Sequence, residues 1–493
     1  MKKTYVALIA LIIGLFLVAC GGQSIELTEQ YPEIHTSIAE NDETNEDEPN
    51  DTPTTLYTLI ETTEGIQRIF PPGTLTIEHF LEDIDYLMYV LENNFALLEV
   101  AYWAWDTDAQ VLADNARKDI LAAYEAGILC ENRFLALLIK NFFPLTPTGH
   151  FDIFTPRRYL GMVTNPYNSN YYSPGVILNN RLLETPLALR FYEYRAQNLD
   201  YFAGVMQEVM SEGVGVYNRL VGDFSNPRQF EPHTIITEVL EEGRIAYISV
   251  NSFMPPSGAA MIIEQQQLFD FYIEISDFEH FIIDLRGNLG GNIHYFRDNI
   301  FRPFLEETVT INSFHFFMDG PYIRRLGDAI FARTASNGHL IISDDYRPIS
   351  EILEEHELSE LRTKDMERLR YATVSTTGRI HPNRRHAGEE MGFSGEIWML
   401  TDVQMFSAAQ AAARMSMDTG FATHVGERTG GSSGGLRALA LLPNTGIAIY
   451  FDVFYLTDER GRPLEAGTIP HHFNREGMDA LETVLALIAE GEY

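Results

Sequence analysis

Cysteine and basic side chains are scarce in this sequence. Two cysteines occur in 493 residues, which excludes the framework of several disulfides that stabilises many small secreted domains. No Cys and His cluster has the spacing of zinc ligands, so no metal is expected. Cys130 stands in an apolar helical context and is expected to be a buried small hydrophobe.

The charge of the chain is strongly acidic. Lys and Arg number 35 against 70 Asp and Glu, giving a formal net charge of -35. This balance argues against nucleic acid as a partner, because phosphate recognition needs a positive surface. Adsorption of the protein surface to anionic lipid is disfavoured for the same reason.

Long apolar runs are also missing, except at the N-terminus. Lys2 and Lys3 precede an apolar run over residues 6–18, which is short for a membrane span and typical of a signal peptide. The run ends in Leu-Val-Ala immediately before Cys20, a pattern that resembles the bacterial lipobox. We expect residues 1–20 to be a lipoprotein signal peptide and Cys20 to be the lipidation site. An uncleaved membrane anchor is the alternative.

The stretch after Cys20 is predicted to be an acidic disordered tether over residues 21–73. Residues 24–55 contain no Lys or Arg, and such a segment cannot bury enough apolar surface to order itself. Cation binding is the alternative, but no turn-forming glycine organises the carboxylates. The expected localisation is extracytoplasmic, lipid-anchored at the cell membrane, because two acyl chains anchor a protein stably.

Hydrophobic periodicity divides the remaining chain into three parts. Apolar residues recur at three- and four-residue steps over 77–91, and two further helical stretches follow, which predicts a small helical domain over 74–155. Residues 156–243 form a middle region of uncertain fold. From residue 244 apolar strands alternate with helices, which predicts an α/β domain over 244–493 with a C-terminal helix. A charged helix over 351–370 is expected to be a surface insertion.

A Gly-rich turn follows one of the predicted buried strands. Residues 284–292 read Asp-Leu-Arg-Gly-Asn-Leu-Gly-Gly-Asn, and glycines there allow backbone amides to approach and point at a ligand. A phosphate-binding loop is the alternative. The GxGxxG spacing and the Walker lysine are both absent, which weakens a nucleotide interpretation.

A serine stands where another apolar strand runs into a helix. Ser407 at the start of that helix lies near free N–H groups and the positive end of the dipole, which favour an oxyanion. Taken alone, Ser407 and Gln410 are better explained as a capping box. His150 in a loop and Glu465 near the C-terminus, each taken alone, predict only a solvated histidine and a surface charge.

Together these elements resemble the serine peptidase family of the carboxyl-terminal-processing (tail-specific) proteases and the tricorn protease core. The resemblance spans about residues 244–473. The matching elements, in chain order, are the strand at 245–248 with Ser252-Phe253, the turn at 284–291, the serine segment at 407–410, the turn at 426–431 and the element at 465–470. The resemblance implies a crotonase-like ββα spiral peptidase domain that hydrolyses peptide bonds without a metal or organic cofactor.

The likeness is closest to the tricorn-core-like branch, which lacks the catalytic lysine. Ser432 stands where the processing proteases carry their Lys base. The branch instead uses a His from the N-terminal side and a Glu from the C-terminal side, for which His150 and Glu465 are the candidates. His471 and His472 remain competitors for the base.

The resemblance implies one role for each candidate residue. Ser407 would be the nucleophile, His150 the general base and Glu465 the group that orients His150. The backbone amides of Gly290 and Ala408 would form the oxyanion hole.

The departures from the family pattern leave a second hypothesis. Gln410 stands where the family has Glu, and His471 stands where Asp commonly follows the proline. A catalytically inactive peptide- or ligand-binding lipoprotein on the same scaffold is therefore the alternative to a serine-type endopeptidase. The partners expected are a peptide or protein substrate and, through the N-terminal lipid only, the membrane.

Overall fold

The structure is a computed structural model. It describes residues 69–164, 181–211, 233–254, 259–323, 341–342, 347–386, 389–431 and 437–491. The predictions for Cys20, for residues 1–20 and for the tether up to residue 68 lie outside these residues, as does Ser432. In the described part of the chain no helix is long and apolar enough to cross a membrane.

The helices fall mainly where the apolar periodicity predicts them. Numbered along the described chain they are α1 Ile77–Asn94, α2 Leu98–Trp105, α3 Ala109–Glu125, α4 Glu131–Phe142, α5 Pro156–Thr164, α6 Pro186–Gln197, α7 Leu199–Ser211, α8 Ala259–Glu274, α9 Ile293–Phe296, α10 Ile349–Glu355, α11 Thr363–Arg368, α12 Ala408–Thr419 and α13 Ala480–Glu490.

The strands lie mostly in the second half of the chain. They are β1 Asp152–Ile153, β2 Ile235–Glu241, β3 Ile245–Val250, β4 His280–Asp284, β5 Val309–Phe317, β6 Ile341–Ile342, β7 Arg347–Pro348, β8 Tyr371–Ile380, β9 Arg385–His386, β10 Glu389–Glu390, β11 Glu396–Thr401, β12 Thr423–Gly426, β13 Arg437–Leu441, β14 Ala448–Asp452, β15 Phe454–Thr457 and β16 His472–Phe473.

The central sheet has six strands in the order β16-β12-β11-β4-β3-β2. Its members are parallel except for β2, which pairs antiparallel with β3 at one edge. Every residue of β3 and β4 is buried, as expected for parallel strands covered on both faces. Alternating strands and helices confirm the predicted α/β class. β4 and β11 are parallel neighbours, and the Gly-rich turn and the Ser407 segment follow their carboxyl ends. Both segments therefore lie at the same end of the sheet.

A three-stranded sheet ties the N-terminal helices to the C-terminal half. Its order is β1-β14-β13, and β1 pairs antiparallel with β14 so that Asp152 lies opposite Tyr450. The helices also share one apolar core with these strands, since Phe95 of the α1–α2 connection packs edge-on against Phe451 at 6.0 Å between ring centroids. The apolar core therefore runs across the predicted domain boundary at residue 155.

Two expectations from the sequence are wrong. The charged segment 351–370 is not one surface helix: α10 ends at Glu355, α11 begins at Thr363, and Leu358 and Leu361 between them are buried against Gly461. Tertiary packing thus overrides the helix propensity of the charged residues. Cys130 is exposed, because it precedes α4 instead of lying on the apolar face of that helix.

Asp83 on α1 is a fully buried carboxylate that holds the turn between β13 and β14. It accepts hydrogen bonds from the backbone N–H of Asn444 at 2.8 Å and of Thr445 at 3.0 Å, and from the Thr445 hydroxyl at 2.6 Å. Burial raises the pKa of Asp83 to about 7, although these hydrogen bonds oppose the shift.

We predict that Asp83 makes the protein less stable as the pH rises. Because its pKa is raised in the folded state, the stability that its protonated form contributes is fully present below about pH 4 and is lost as the pH rises towards 7. The slope is at most about 1.4 kcal/mol per pH unit for one proton. Urea unfolding between pH 4 and 8 should give a loss of stability with rising pH that is smaller in Asp83→Asn than in the wild type, by up to this slope.

The matched control is Asp85→Asn on the same helix, whose carboxylate is largely exposed. It should keep the wild-type pH dependence. An Asp83→Asn protein with the same pH dependence as the wild type would contradict the prediction.

Candidate active site

The Gly-rich turn after β4 is fixed by buried polar contacts. Both carboxylate oxygens of Asp402 accept the backbone N–H of Gly287 at 3.0 Å. The side-chain amide of Asn288 donates to the carbonyl of Val250 at 3.0 Å, and the backbone carbonyl of Asn288 accepts the N–H of Phe406 at 3.1 Å. The last bond joins the turn directly to the segment that carries Ser407. Burial raises the pKa of Asp402 to about 6.

Gly290 and the Ser407 segment touch through their backbones. Gly290 has a φ of +96°, and a Cβ there would lie 2.6 Å from the carbonyl oxygen of Phe406 and 2.7 Å from the nitrogen of Ala408. The two backbones are too close for any residue with a Cβ, so this position requires glycine. The N–H of Gly290 donates to Oδ1 of Asn288 at 2.7 Å, so it is engaged inside the turn. The N–H of Ala408 lies at the first position of α12, where a helix supplies no backbone acceptor.

Ser407 does not cap α12, so the capping interpretation of the sequence is wrong. Its φ of 56° and ψ of -120° differ from those of a helix cap, and its side chain makes no capping hydrogen bond. The buried side chain of Gln410 instead donates to the carbonyl of Leu464 at 2.9 Å and to the hydroxyl of Thr468 at 3.2 Å. The Ser407 hydroxyl is therefore not bonded to the helix amides.

His150 is the histidine that lies beside Ser407. Its Nε2 is 3.1 Å from the Ser407 hydroxyl oxygen. The loop is tight, because Gly149 has a φ of +57° and a Cβ there would lie 2.5 Å from the ring of Phe95. Among the described residues only Asp106, His150 and Ser407 combine a side chain with a positive φ. Such backbone strain is concentrated at functional sites.

The carboxylate bonded to the other ring nitrogen of His150 belongs to Asp452, a residue that the sequence analysis missed. Its Oδ2 lies 2.8 Å from His150 Nδ1, and the side chain is wholly buried at the end of β14. Glu465, which was expected in this position, reaches the same loop at the preceding residue: its Oε2 accepts the N–H of Gly149 at 3.1 Å. A local signal for Asp452 existed, since an acidic residue directly follows an apolar strand.

The competing histidines form a separate cluster at another part of the sheet. His471 Nδ1 accepts the backbone N–H of His424 on β12 at 2.9 Å, and His424 Nε2 lies 2.9 Å from the hydroxyl of Ser416. Burial lowers the pKa of His424 to about 3 and also lowers that of His471. His472 lies on β16.

The arrangement can support nucleophilic chemistry. A hydroxyl within hydrogen-bond reach of an imidazole, whose other nitrogen meets a buried carboxylate, is the constellation that serine hydrolases of unrelated folds share. Within the described residues no group of three or more His, Cys, Asp or Glu side chains could hold a metal ion.

The family model of peptidase family S41 matches residues 244–473. This segment contains the Gly-rich turn, Ser407, Asp452 and Glu465, whereas His150 lies outside it. The hydroxyl–imidazole–carboxylate arrangement is of the kind found in serine hydrolases. Residues 244–473 are similar to peptidase family S41, the serine peptidases that include the carboxyl-terminal-processing proteases.

Similar solved structures are distant in sequence. A peptidase from Parabacteroides merdae is 16% identical, with 83% of this chain and 96% of that chain covered and a TM-score of 0.43. Mature CPAF complexed with lactacystin is 13% identical, with 84% and 99% covered and a TM-score of 0.46. The tricorn protease is 15% identical, with 50% and 18% covered and a TM-score of 0.25. The likeness to the family rests on the family model alone, and the tricorn-like branch stays a prediction. No curated protein matches the chain.

We predict that Gly290→Ala destabilises the protein far more than Gly420→Ala. Both glycines have a positive φ, which costs an alanine about 1–2 kcal/mol. Only Gly290 also places the new Cβ against backbone atoms; at Gly420, which ends α12, nothing lies within 4 Å. Gly290→Ala should therefore lose at least about 2 kcal/mol more in urea unfolding. Equal losses in the two variants would show that the turn can move away from the Ser407 segment.

Proposed function

We propose that this protein is a serine-type endopeptidase that hydrolyses peptide bonds through an acyl-enzyme, with Ser407 as nucleophile and His150 as general base. The observation that carries the proposal is the 3.1 Å separation between His150 Nε2 and the Ser407 hydroxyl oxygen. It is supported by the likeness of residues 244–473 to peptidase family S41.

His150 moves the proton in both halves of the proposed reaction. Its Nε2 takes the Ser407 proton as the serine oxygen bonds to the substrate carbonyl carbon, and then gives that proton to the amine that leaves. Water repeats the sequence on the acyl-enzyme and releases the second product. A positioned base of this kind accelerates such reactions by about 10²–10⁴-fold.

No lysine is available to replace His150 in this role. The chain has no Lys between Lys140 and Lys364 and none after Lys364, so the segment around Ser407 and Ser432 contains none. Lys2 and Lys3 lie in the predicted signal peptide, and Lys118 is exposed on α3. Lys140 lies on α4, where its ammonium pairs with Asp119 at 3.1 Å, and Lys364 lies on α11. A serine–lysine dyad is therefore excluded on composition and position together.

The proposed oxyanion donors are the backbone amides of Ala408 and Gly290. Ala408 opens the 12-residue helix α12, so its N–H is reinforced by the helix dipole. Gly290 can donate to the oxyanion only if its N–H breaks the hydrogen bond to Asn288 Oδ1 and bonds to the substrate oxygen instead. Ala408 is accordingly the donor that the resting geometry supports better.

We predict that a fluorophosphonate probe labels the wild-type protein and not the Ser407→Ala protein. The probe reacts with a serine hydroxyl that a neighbouring base has activated. His150→Gln, which removes the base, should slow labelling by about 10²–10⁴-fold. Labelling is read as the rate of covalent mass increase on the intact protein.

Ser416→Ala is the matched control, because Ser416 is also a serine of α12 within 2.9 Å of a histidine nitrogen but is fully buried. It should label at the wild-type rate. A wild-type protein that does not label would favour the inactive peptide- or ligand-binding lipoprotein instead.

We further propose that the mature protein is lipid-anchored through Cys20 outside the cytoplasm. Support comes from Lys2 and Lys3, the apolar run over 6–18 and the residues before Cys20. Protein from a bacterial host should carry a diacylglyceryl group on an N-terminal Cys20 and sediment with membranes, because two acyl chains anchor stably. Cys20→Ser should leave the membrane fraction. Mass spectrometry that finds Met1, or an unmodified Cys20, at the N-terminus would contradict the proposal.

A further inference from the structure

Two buried carboxylates converge on the loop that carries His150, and they contact different groups. Asp452 contacts the imidazole, and Glu465 contacts the backbone of Gly149. We propose that Asp452 is the residue that orients the His150 imidazole, and that Glu465 fixes the position of the loop. The proposal rests on the function proposed above, because it assigns a positioning residue for the same reaction.

The strand pairing places Asp452 opposite His150. In the antiparallel pairing of β1 with β14, Asp152 faces Tyr450 and Ile153 faces Ile449. Continued towards the loop, the same register sets residue 150 against residue 452. Beyond the ladder the N–H of Asp452 donates to the carbonyl of Gly149 at 2.7 Å, one residue off this register, so the His150 loop stays hydrogen-bonded to the end of β14. The 2.8 Å contact between the two side chains lies directly beside this backbone bond.

The contact determines which ring nitrogen carries the proton. A carboxylate accepts hydrogen bonds and cannot donate them, so in the neutral imidazole the proton belongs on Nδ1. The lone pair of Nε2 then faces the Ser407 hydroxyl at 3.1 Å, as a general base requires. The charge of Asp452 also stabilises the imidazolium that forms when His150 takes the serine proton.

The surroundings of Asp452 strengthen its effect. Its side chain has no solvent exposure, against 13% for that of His150, and water therefore screens the pair poorly. The second carboxylate oxygen lies 3.4 Å from Nε of Arg437 on β13. The buried charge thus lies between a permanent cation and the imidazole, which keeps the carboxylate from being an isolated charge in the core.

Backbone contacts of Glu465 fix the turn that carries it, which suits a residue that positions the His150 loop. Its carbonyl accepts the indole N–H of Trp105 at 3.0 Å and lies 2.4 Å from the position of a Cβ on Gly431. The turn at Leu464–Ala466 is thereby fixed against α2 and against the segment at Gly431. Gly431 in turn forms a β-bridge with Phe406. From this fixed turn the carboxylate accepts the N–H of Gly149 and sets where the His150 loop begins.

The test compares two substitutions that remove charge and keep shape, Asp452→Asn and Glu465→Gln. An asparagine can donate to Nδ1 and shift the ring proton to Nε2, which in a comparable triad lowers activity about 10⁴-fold. We expect the rate of fluorophosphonate labelling to fall about 10³–10⁴-fold in Asp452→Asn. Glu465→Gln keeps an acceptor for Gly149 and should lose less than about tenfold. Asp85→Asn, which removes the charge of an exposed Asp on α1, should label at the wild-type rate.

A second readout does not depend on activity. The ¹⁵N chemical shifts of the imidazole report which nitrogen carries the proton, and the His150→Gln protein identifies the His150 signals among those of the 14 histidines. Neutral His150 should be protonated on Nδ1 in the wild type and in Glu465→Gln, and at least partly on Nε2 in Asp452→Asn. Urea unfolding of each variant establishes that the folded protein is being compared.

The possible results separate this inference from the proposed function. If Glu465→Gln loses labelling and changes the tautomer while Asp452→Asn does neither, the orienting role returns to Glu465. If the wild type does not label at all, the peptidase proposal fails, and the ¹⁵N tautomer still decides whether Asp452 orients the ring. An Nε2 proton in the wild type would overturn the inference directly.

Discussion

The pairing of β1 with β14 is the contact on which the geometry of the site depends. Two residue pairs, Asp152 with Tyr450 and Ile153 with Ile449, join the N-terminal helical region to the family segment. His150 precedes β1 and Asp452 ends β14, so this short ladder brings an imidazole and a carboxylate together across 302 residues of chain. The apolar core that α1–α4 share with β13 and β14 holds the ladder in place.

The second constraint is the parallel sheet, which places the Gly-rich turn and Ser407 at one end. β4 and β11 are adjacent, and the connections that leave them touch through backbone at Gly290. The contact requires a glycine on one side and a strained serine on the other. The site therefore combines two parts of the fold, one carrying Ser407 and the amide of Ala408, the other carrying His150 and Asp452.

The sequence predicts those features that depend on local pattern. The helix at 77–94, the buried strands and the meeting of Ser407 with His150 were accessible from periodicity and from family resemblance. The contact of Asp452 with His150 was not, because it depends on the pairing of strands far apart in the chain. The engagement of the Gly290 amide by Asn288 and the failure of Ser407 to cap its helix depend on side-chain orientation. The break between α10 and α11 arises from the burial of Leu358 and Leu361, which charge patterning does not reveal.

The separation of the site along the chain has a consequence for biosynthesis. A ribosome makes His150 early, Ser407 much later and Asp452 later still, and each alone is chemically ordinary. Any product that stops before β14 lacks the carboxylate and also the strand on which β1 docks. Under the proposed mechanism, a nascent or truncated chain is therefore inert by topology. Its reactivity depends on the closure of the β1–β14 pairing.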